Sequence, residues 1–281
     1  MAGPISGEPP APRRGRLGVL GWPVAHSRSP AMHRAAFAEL GLSGWSYQLL
    51  PVPPELFDET VRALPAAGFV GANVTLPHKQ AALELSDDAS PAALAIGAAN
   101  TLSFAADGRI YAENTDGPAL IASLPIALPG ARAVVLGAGG TARSAVWALR
   151  AAGADVAVWN RTPARARELA EQLGARAIDR VESGDLLCNC TSVGLGTRWT
   201  SHEEVLQSLA INTDLLLSYA CVVDFVYGER ASSLLDIARE RGVMTVDGAT
   251  ILGEQGALSF ELWTGLEAPR AVMAHAAMEA A

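Results

Sequence analysis

The 281-residue sequence predicts an α/β protein of two domains with a cleft between them. Three observations carry that expectation. Half of the residues are hydrophobic and 18% are charged, enough apolar side chain to build two cores of ordinary size. Short β-type runs alternate with alanine-rich helical stretches, a pattern that implies parallel strands joined by helical crossovers. A Pro/Gly-punctuated stretch at 125–130 then separates two such series.

Residues 1–16, rich in Pro, Gly and Arg and without the apolar run of a signal peptide, are expected to be a flexible tail. The first domain is expected over 17–116. It has β-type runs at Leu17–Leu20, Tyr47–Leu50, Ala72–Thr75 and Thr101–Phe104, with helices expected at Pro30–Leu40 and Pro54–Leu64. The second domain, expected over 117–249, begins its strands with Ala133–Leu136 and continues through Asp155–Trp159, Leu186–Cys190, Val222–Phe225 and Thr245–Val246. The stretch 250–281 is helical by composition and is expected to pack back on the first domain.

The formal charge of −8 argues against a nucleic-acid or anionic-membrane partner, either of which needs a net basic face. The longest apolar stretch, around Leu215–Val226, is broken by Ser218 and Asp224 and falls short of the ~20 residues that span a bilayer. Cys188, Cys190 and Cys221 form no CxxC pair and read as small buried hydrophobes, so a reducing, cytoplasmic setting and no metal site are expected.

The chain holds one lysine, Lys79, among 21 basic residues, in the segment Asn73-Val-Thr-Leu-Pro-His-Lys79. Arginine stays charged at any pH a protein tolerates, whereas lysine can give and take a proton once its surroundings favour it. Lys79 is therefore the first candidate for acid–base chemistry. Asp116, in Glu113-Asn-Thr-Asp116, is the expected partner that would orient the ammonium. Upstream, Ser27-Arg-Ser29-Pro30 places Ser29 as the expected helix N-cap, with Ser27 as a second hydroxyl beside the free N–H groups, a pairing suited to a small carboxylate. Asn73 and Thr75 occupy alternate strand positions and share a face, and Asn100 closes the turn Gly97-Ala-Ala-Asn100.

In the second series, strand Ala133–Leu136 runs into Gly137-Ala138-Gly139-Gly140-Thr141-Ala142 and then a helical stretch. This is the strand–turn–helix context of a dinucleotide-binding loop. The next strand ends at Asn160-Arg161-Thr162, where an NAD enzyme would carry an acid for the ribose hydroxyl. Arg161 and Arg165 instead suit a 2′-phosphate, which selects NADP (NADPH).

Together, His26-Ser-Arg-Ser-Pro30, Asn73-Val-Thr-Leu-Pro-His-Lys79, Gly97-Ala-Ala-Asn-Thr101, Glu113-Asn-Thr-Asp-Gly117, Gly137-Ala-Gly-Gly140, Asn160-Arg-Thr162, Asn189-Cys-Thr-Ser192 and Gln255-Gly-Ala257 resemble the shikimate dehydrogenase family, in order from Leu17 to Gly265. The resemblance implies an N-terminal α/β substrate domain and a Rossmann-type dinucleotide-binding domain, and an NADPH-dependent, reversible reduction of 3-dehydroshikimate. It implies that Ser27 and Ser29 hold the substrate carboxylate, that Asn73, Thr75, Asn100, Tyr227 and Gln255 surround the ring, and that Lys79 and Asp116 are the catalytic pair. On the cofactor side it points to Gly137–Thr141, Asn160, Arg161, Thr162, Arg165, Phe225 and Gly248. The family includes monomers and homodimers.

Three segments depart from its pattern: Arg34, Gly228-Glu-Arg230 after Tyr227, and Thr250-Ile-Leu252, the last expected to border the nicotinamide. Two alternatives stand beside this reading: a paralogue acting on quinate or an amino-substituted shikimate, and a non-catalytic dinucleotide-binding regulator. The retained amine of Lys79 argues against the regulator.

Overall fold

The computed structural model describes residues 14–194, 201–227 and 233–279. Most of the expected tail, 1–13, and the departure at Gly228–Arg230 lie outside the described residues. Two six-stranded sheets form the framework.

In the first sheet, β1 (Gly15–Gly21), β2 (Trp45–Pro51) and β3 (Phe69–Val74) pair in parallel, connected by α1 (Ser29–Glu39) and by a 3-10 turn with α2 (Phe57–Ala63). The chain continues through α3 (Lys79–Glu84), β4 (Asp88–Ala89), α4 (Pro91–Ile96), β5 (Thr101–Phe104), β6 (Ile110–Glu113) and α5 (Asp116–Ser123), giving the order β2-β1-β3-β5-β6-β4. The expectation of parallel strands fails here, because β5 runs antiparallel to both β3 and β6. The cause is local. Ala105–Arg109 closes a tight hairpin in which Gly108 takes φ +86° and Asp107 Oδ1 accepts the Arg109 N–H at 3.1 Å, and an Asp-Gly pair between two β-type runs directs a hairpin.

The second sheet is wholly parallel. It is built from β7 (Arg132–Leu136), α6 (Gly140–Ala151), β8 (Asp155–Trp159), α7 (Pro163–Leu173), β9 (Arg176–Ala177), β10 (Leu186–Asn189), α8 (His202–Ser208), α9 (Thr213–Leu216), β11 (Cys221–Asp224), α10 (Ser233–Glu240) and β12 (Met244–Asp247). Its order β9-β8-β7-β10-β11-β12 is the doubly wound one, with the reversal between β7 and β10. Ligands of such sheets bind beyond the carboxyl ends of the strands at that reversal.

Apolar side chains from both faces of each sheet make the cores. Val135, Val146 and Val158 lie on one face of the second sheet, and Leu136, Leu187 and Val222 on the other. Leu17, Met32 and Phe260 fill one side of the first sheet, and Leu20, Phe57 and Leu102 the other. The helical stretch expected after 250 is two helices, α11 (Gly248–Thr264) and α12 (Arg270–Glu279), parted where Gly265 takes φ +66° and Pro269 follows. Met273 and Ala277 of α12 pack with Met32 and Ala36 of α1. α11 reaches both halves: Ile251 joins the core of the second sheet, Phe260 and Trp263 that of the first. Among the described residues no helix is long and apolar enough to cross a membrane.

Candidate active site

Lys79 begins α3, and its backbone is fixed to the first sheet's half by the Ala99 N–H, which donates to the Lys79 carbonyl at 2.8 Å. The preceding His78 is stacked on Phe57, with ring centroids 4.3 Å apart, and its Nε2 lies 2.7 Å from the Val52 carbonyl, so the turn that presents the lysine is rigid. The ammonium donates to Asp116 Oδ2 at 2.7 Å and to Thr141 Oγ1 at 3.0 Å. Asp116 is the first residue of α5 and its carboxylate caps no backbone N–H of that helix. Its other oxygen accepts from Asn100 Nδ2 at 2.9 Å.

A cleft forms around this pair. Ser27, Ser29, Asn73, Thr75, Asn100, Tyr227 and Gln255 line it with Lys79 and Asp116, and so do Thr141, Phe225 and Gly248, three of the positions expected to contact the cofactor. The structure thus gathers nine expected substrate-side positions into one cavity.

Behind them runs a polar chain that sequence reasoning missed. Asn100 Nδ2 also reaches Thr115 Oγ1 and Gln255 Oε1, and Ser259 Oγ lies 2.9 Å from Thr101 Oγ1 and 3.3 Å from Thr115 Oγ1. Asn73 Nδ2 donates among Ser259 Oγ (2.9 Å), Thr101 Oγ1 (3.1 Å) and the Asn100 carbonyl (3.2 Å), while its Oδ1 accepts from the Tyr47 hydroxyl at 2.8 Å. Both amide hydrogens of Asn73 therefore have protein acceptors, leaving its oxygen as the atom with spare capacity. Thr101 and Ser259 are fully buried and small hydroxyls give little sequence signal, which is why the chain was not legible.

The serine pair corrects an expectation. α1 starts at Ser29 itself, with Arg28 before it, and Ser29 is not the N-cap. Ser27 Oγ instead accepts the Ser29 N–H at 3.3 Å and donates to Ser29 Oγ at 3.2 Å, so Ser27 serves the helix start while both serines line the cleft. Pro30 at the second helical position shifts the register by one residue relative to a Ser-cap reading. Tyr227 stands beside them, and burial raises its phenol pKa, which keeps it a hydrogen-bond donor.

In the expected cofactor loop, Gly137 follows the end of β7, and its φ of +115° strains any residue with a side chain; its close neighbour is the Cys190 carbonyl. A Cβ on Gly139 would meet nothing within 4 Å, so the backbone there faces open space at the start of α6, as a loop that takes a pyrophosphate must. Gly140 is different: a Cβ there would lie 2.8 Å from Lys79 Cβ. Ala138 is half-buried between these glycines. Asn160 Nδ2 donates to the Thr162 carbonyl at 3.0 Å, and Arg161 and Arg165 are exposed. Thr162 precedes Pro163 as expected but makes no side-chain cap. The residues present thus fit a phosphorylated dinucleotide.

Of the departing segments, Thr250 turns away from the cleft and donates through N–H and Oγ1 to Asp247 Oδ1, capping α11, and Ile251 is core. Among the described residues of these segments, only Leu252 lines the cavity. Cys188 and Cys221 are buried and Cys190 half-buried. Burial drives all three thiol pKa values up, that of Cys221 to about 11, so they stay protonated. Among the described residues no group of His, Cys, Asp or Glu is arranged to hold a metal ion.

Comparison with known proteins accounts for this arrangement. Residues 19–102 match the shikimate dehydrogenase substrate binding domain, 121–192 the shikimate / quinate 5-dehydrogenase model, and 248–278 the shikimate 5'-dehydrogenase C-terminal domain. The chain is 44% identical to shikimate dehydrogenase (NADP(+)) of Thermus thermophilus, over 89% of this chain and 93% of that protein. It is 41% identical to the protein of the same name from Paracoccus denitrificans, over 91% and 93%. The crystal structure of a Thermus thermophilus shikimate 5-dehydrogenase in complex with NADP(H) and shikimate superposes with a TM-score of 0.85 at 41% identity, covering 95% of this chain and 100% of that one. The chain therefore belongs to the shikimate dehydrogenase family.

Proposed function

We propose that this protein catalyses the reversible, NADPH-dependent reduction of 3-dehydroshikimate to shikimate. The observation that carries the reading is the Lys79 ammonium, 2.7 Å from Asp116 Oδ2, facing a cleft whose polar lining is hydroxyl and amide groups, beside a dinucleotide-binding loop. The cofactor, when bound, supplies the hydride. Lys79 donates a hydrogen bond, and then a proton, to the developing oxygen at C3 of the ring. Asp116 holds the ammonium with one oxygen, and Asn100 fixes the other oxygen so that the pair keeps one geometry. Ser27 and Ser29 take the ring carboxylate. Asn73, Thr75, Asn100, Tyr227 and Gln255 surround the ring, and Phe225 and Gly248 close the cleft on the nicotinamide side. Gly137 to Thr141 cradle the pyrophosphate with their backbone N–H groups. Asn160, Arg161, Thr162 and Arg165 take the 2′-phosphate end.

The decisive experiment follows NADPH formation by its absorbance with shikimate and quinate in parallel, and repeats it with NAD. Turnover of shikimate with NADP well above the other three combinations is expected. Preferred turnover of quinate would reassign the substrate, and tight NADPH binding without turnover of either would favour a regulator.

A further inference from the structure

The ammonium of Lys79 has three N–H donors, and the structure accounts for two of them. One goes to Asp116, on α5. The other goes to Thr141, on α6, at 3.0 Å. The lysine is anchored in the first sheet's half through Ala99 and His78, whereas Thr141 rides on the helix that follows the glycine loop of the second. The contact therefore crosses the cleft. Gly140 makes it possible, because any side chain there would collide with Lys79 Cβ, Cγ and Cδ at 2.8 to 3.4 Å. The α6 N-cap is Gly139 and makes no side-chain cap, and Thr141 Oγ1 caps nothing on that helix. Its described hydrogen bond is the one to the lysine.

We propose that Thr141 is a positioning residue for the reaction, acting through Lys79. With Asp116 and Thr141 each accepting a hydrogen bond from one N–H of the ammonium, the third N–H is left with a single direction, toward the substrate oxygen. A lysine held by Asp116 alone could swing about that one bond, so its aim would depend on rotation of a flexible four-carbon stem. Because the second anchor belongs to the nucleotide-binding loop, the proton donor is aligned when that loop is in place beside it. This assignment rests on the shikimate reading for its chemistry, though the geometry stands without it.

The single lysine of the chain provides a direct test. Protein grown with lysine carrying a nitrogen-15 label at its side-chain amine has one labelled ammonium, whose resonance reports on its hydrogen bonding and solvent exchange without substrate. Thr141→Val removes the hydroxyl at nearly constant shape, and Thr141→Ser keeps it. In Thr141→Val the resonance should shift or broaden through faster exchange, and kcat should fall by about 5- to 30-fold with the KM for NADPH within about twofold, as expected for loss of aim and not of binding. Thr141→Ser should restore both signals. An unchanged resonance with unchanged kcat in Thr141→Val would overturn the proposal. An unchanged resonance with a raised KM for NADPH would overturn it too, assigning the hydroxyl to the cofactor. Failure of the parent protein to turn over shikimate would instead refute the substrate reading, while leaving the resonance test intact.

Discussion

Lys79→Arg tests the catalytic assignment most cleanly, because it preserves charge while changing protonic and steric behaviour. The pair it perturbs is nearly enclosed, with side chains 13% and 9% exposed. Removing the cation altogether, as in Lys79→Met, would leave the Asp116 carboxylate buried without its partner and cost about 3 kcal/mol of stability or more, confounding any kinetic result. Arginine keeps the carboxylate bond. It cannot release a proton in the working pH range, however, and its planar fork cannot reproduce three donors diverging from one nitrogen over Gly140. General acid–base steps contribute about 10² to 10⁴ in rate, so kcat should fall by about 10²-fold or more, equivalent to about 2.7 kcal/mol in the barrier. NADPH affinity, measured by nucleotide fluorescence, should change less than about threefold and the melting temperature little. Turnover within a few-fold of the parent would show that proton donation by Lys79 does not limit the reaction, and the mechanism would have to be rebuilt.

Replacing both Arg161 and Arg165 by Ala should raise the KM for NADPH by about 10-fold or more, the effect of losing a charged hydrogen bond, and leave NADH kinetics unchanged; a parent enzyme that prefers NADH would refute the 2′-phosphate reading. Ser27→Ala should weaken binding of shikimate more than of its methyl ester and also lower stability by about 0.5–1 kcal/mol, since Ser27 Oγ accepts the Ser29 N–H. Ser29→Ala should weaken shikimate binding with a smaller change in melting temperature, and equal discrimination against the ester in both variants and the parent would place the carboxylate elsewhere. His33 is fully buried with neither ring nitrogen hydrogen-bonded, and burial pushes its pKa down to about 3, the nearby Asn73 amide opposing only weakly. The unfolded chain then binds a proton that the folded one refuses between about pH 6.5 and 3, so His33 should make stability fall as pH drops through that window, by up to about 1.4 kcal/mol per unit. Urea titrations of His33→Phe should show a shallower acid slope, and an identical slope would mean that the ring is hydrated in solution.

Much of this architecture was legible because the informative residues sit in strong local contexts. Gly137 to Thr141 lies between an unmistakable strand and helix, and Lys79 stands out because its chemistry is unique in the chain. Reading failed where the deciding force was not periodic. The β5–β6 hairpin was hidden in an apparent βα alternation until Asp107-Gly108 is weighed as a turn. The Ser27/Ser29 exchange depends on whether Pro30 takes the first or second helical position, a difference of one residue that propensity does not resolve. Thr101, Thr115 and Ser259 meet only because β5, the loop before α5, and α11 converge, a tertiary fact with no trace in sequence spacing. Thr141 lies in the expected cofactor loop, and nothing in its own segment announces a lysine 62 residues away.

The helix α11 acts as a ruler. Over its 17 residues, about 25 Å at 1.5 Å per residue, it begins with Gly248 under the cofactor side and passes Leu252 and Gln255 in the cavity. It then reaches Ser259 in the buried polar chain and ends with Trp263, whose indole N–H donates to the Leu102 carbonyl over Gly71. These positions recur every three or four residues and so share one face. Deleting a single residue midway would rotate everything beyond it by about 100°, pulling Ser259 and Trp263 off their partners at once. The spacing between Gly248, Leu252 and Gln255 in the cavity and Ser259 behind it is thereby a property of helix pitch. Selection can retune the side chains along this edge one by one, but the length of the helix cannot drift without dismantling both ends of the site together.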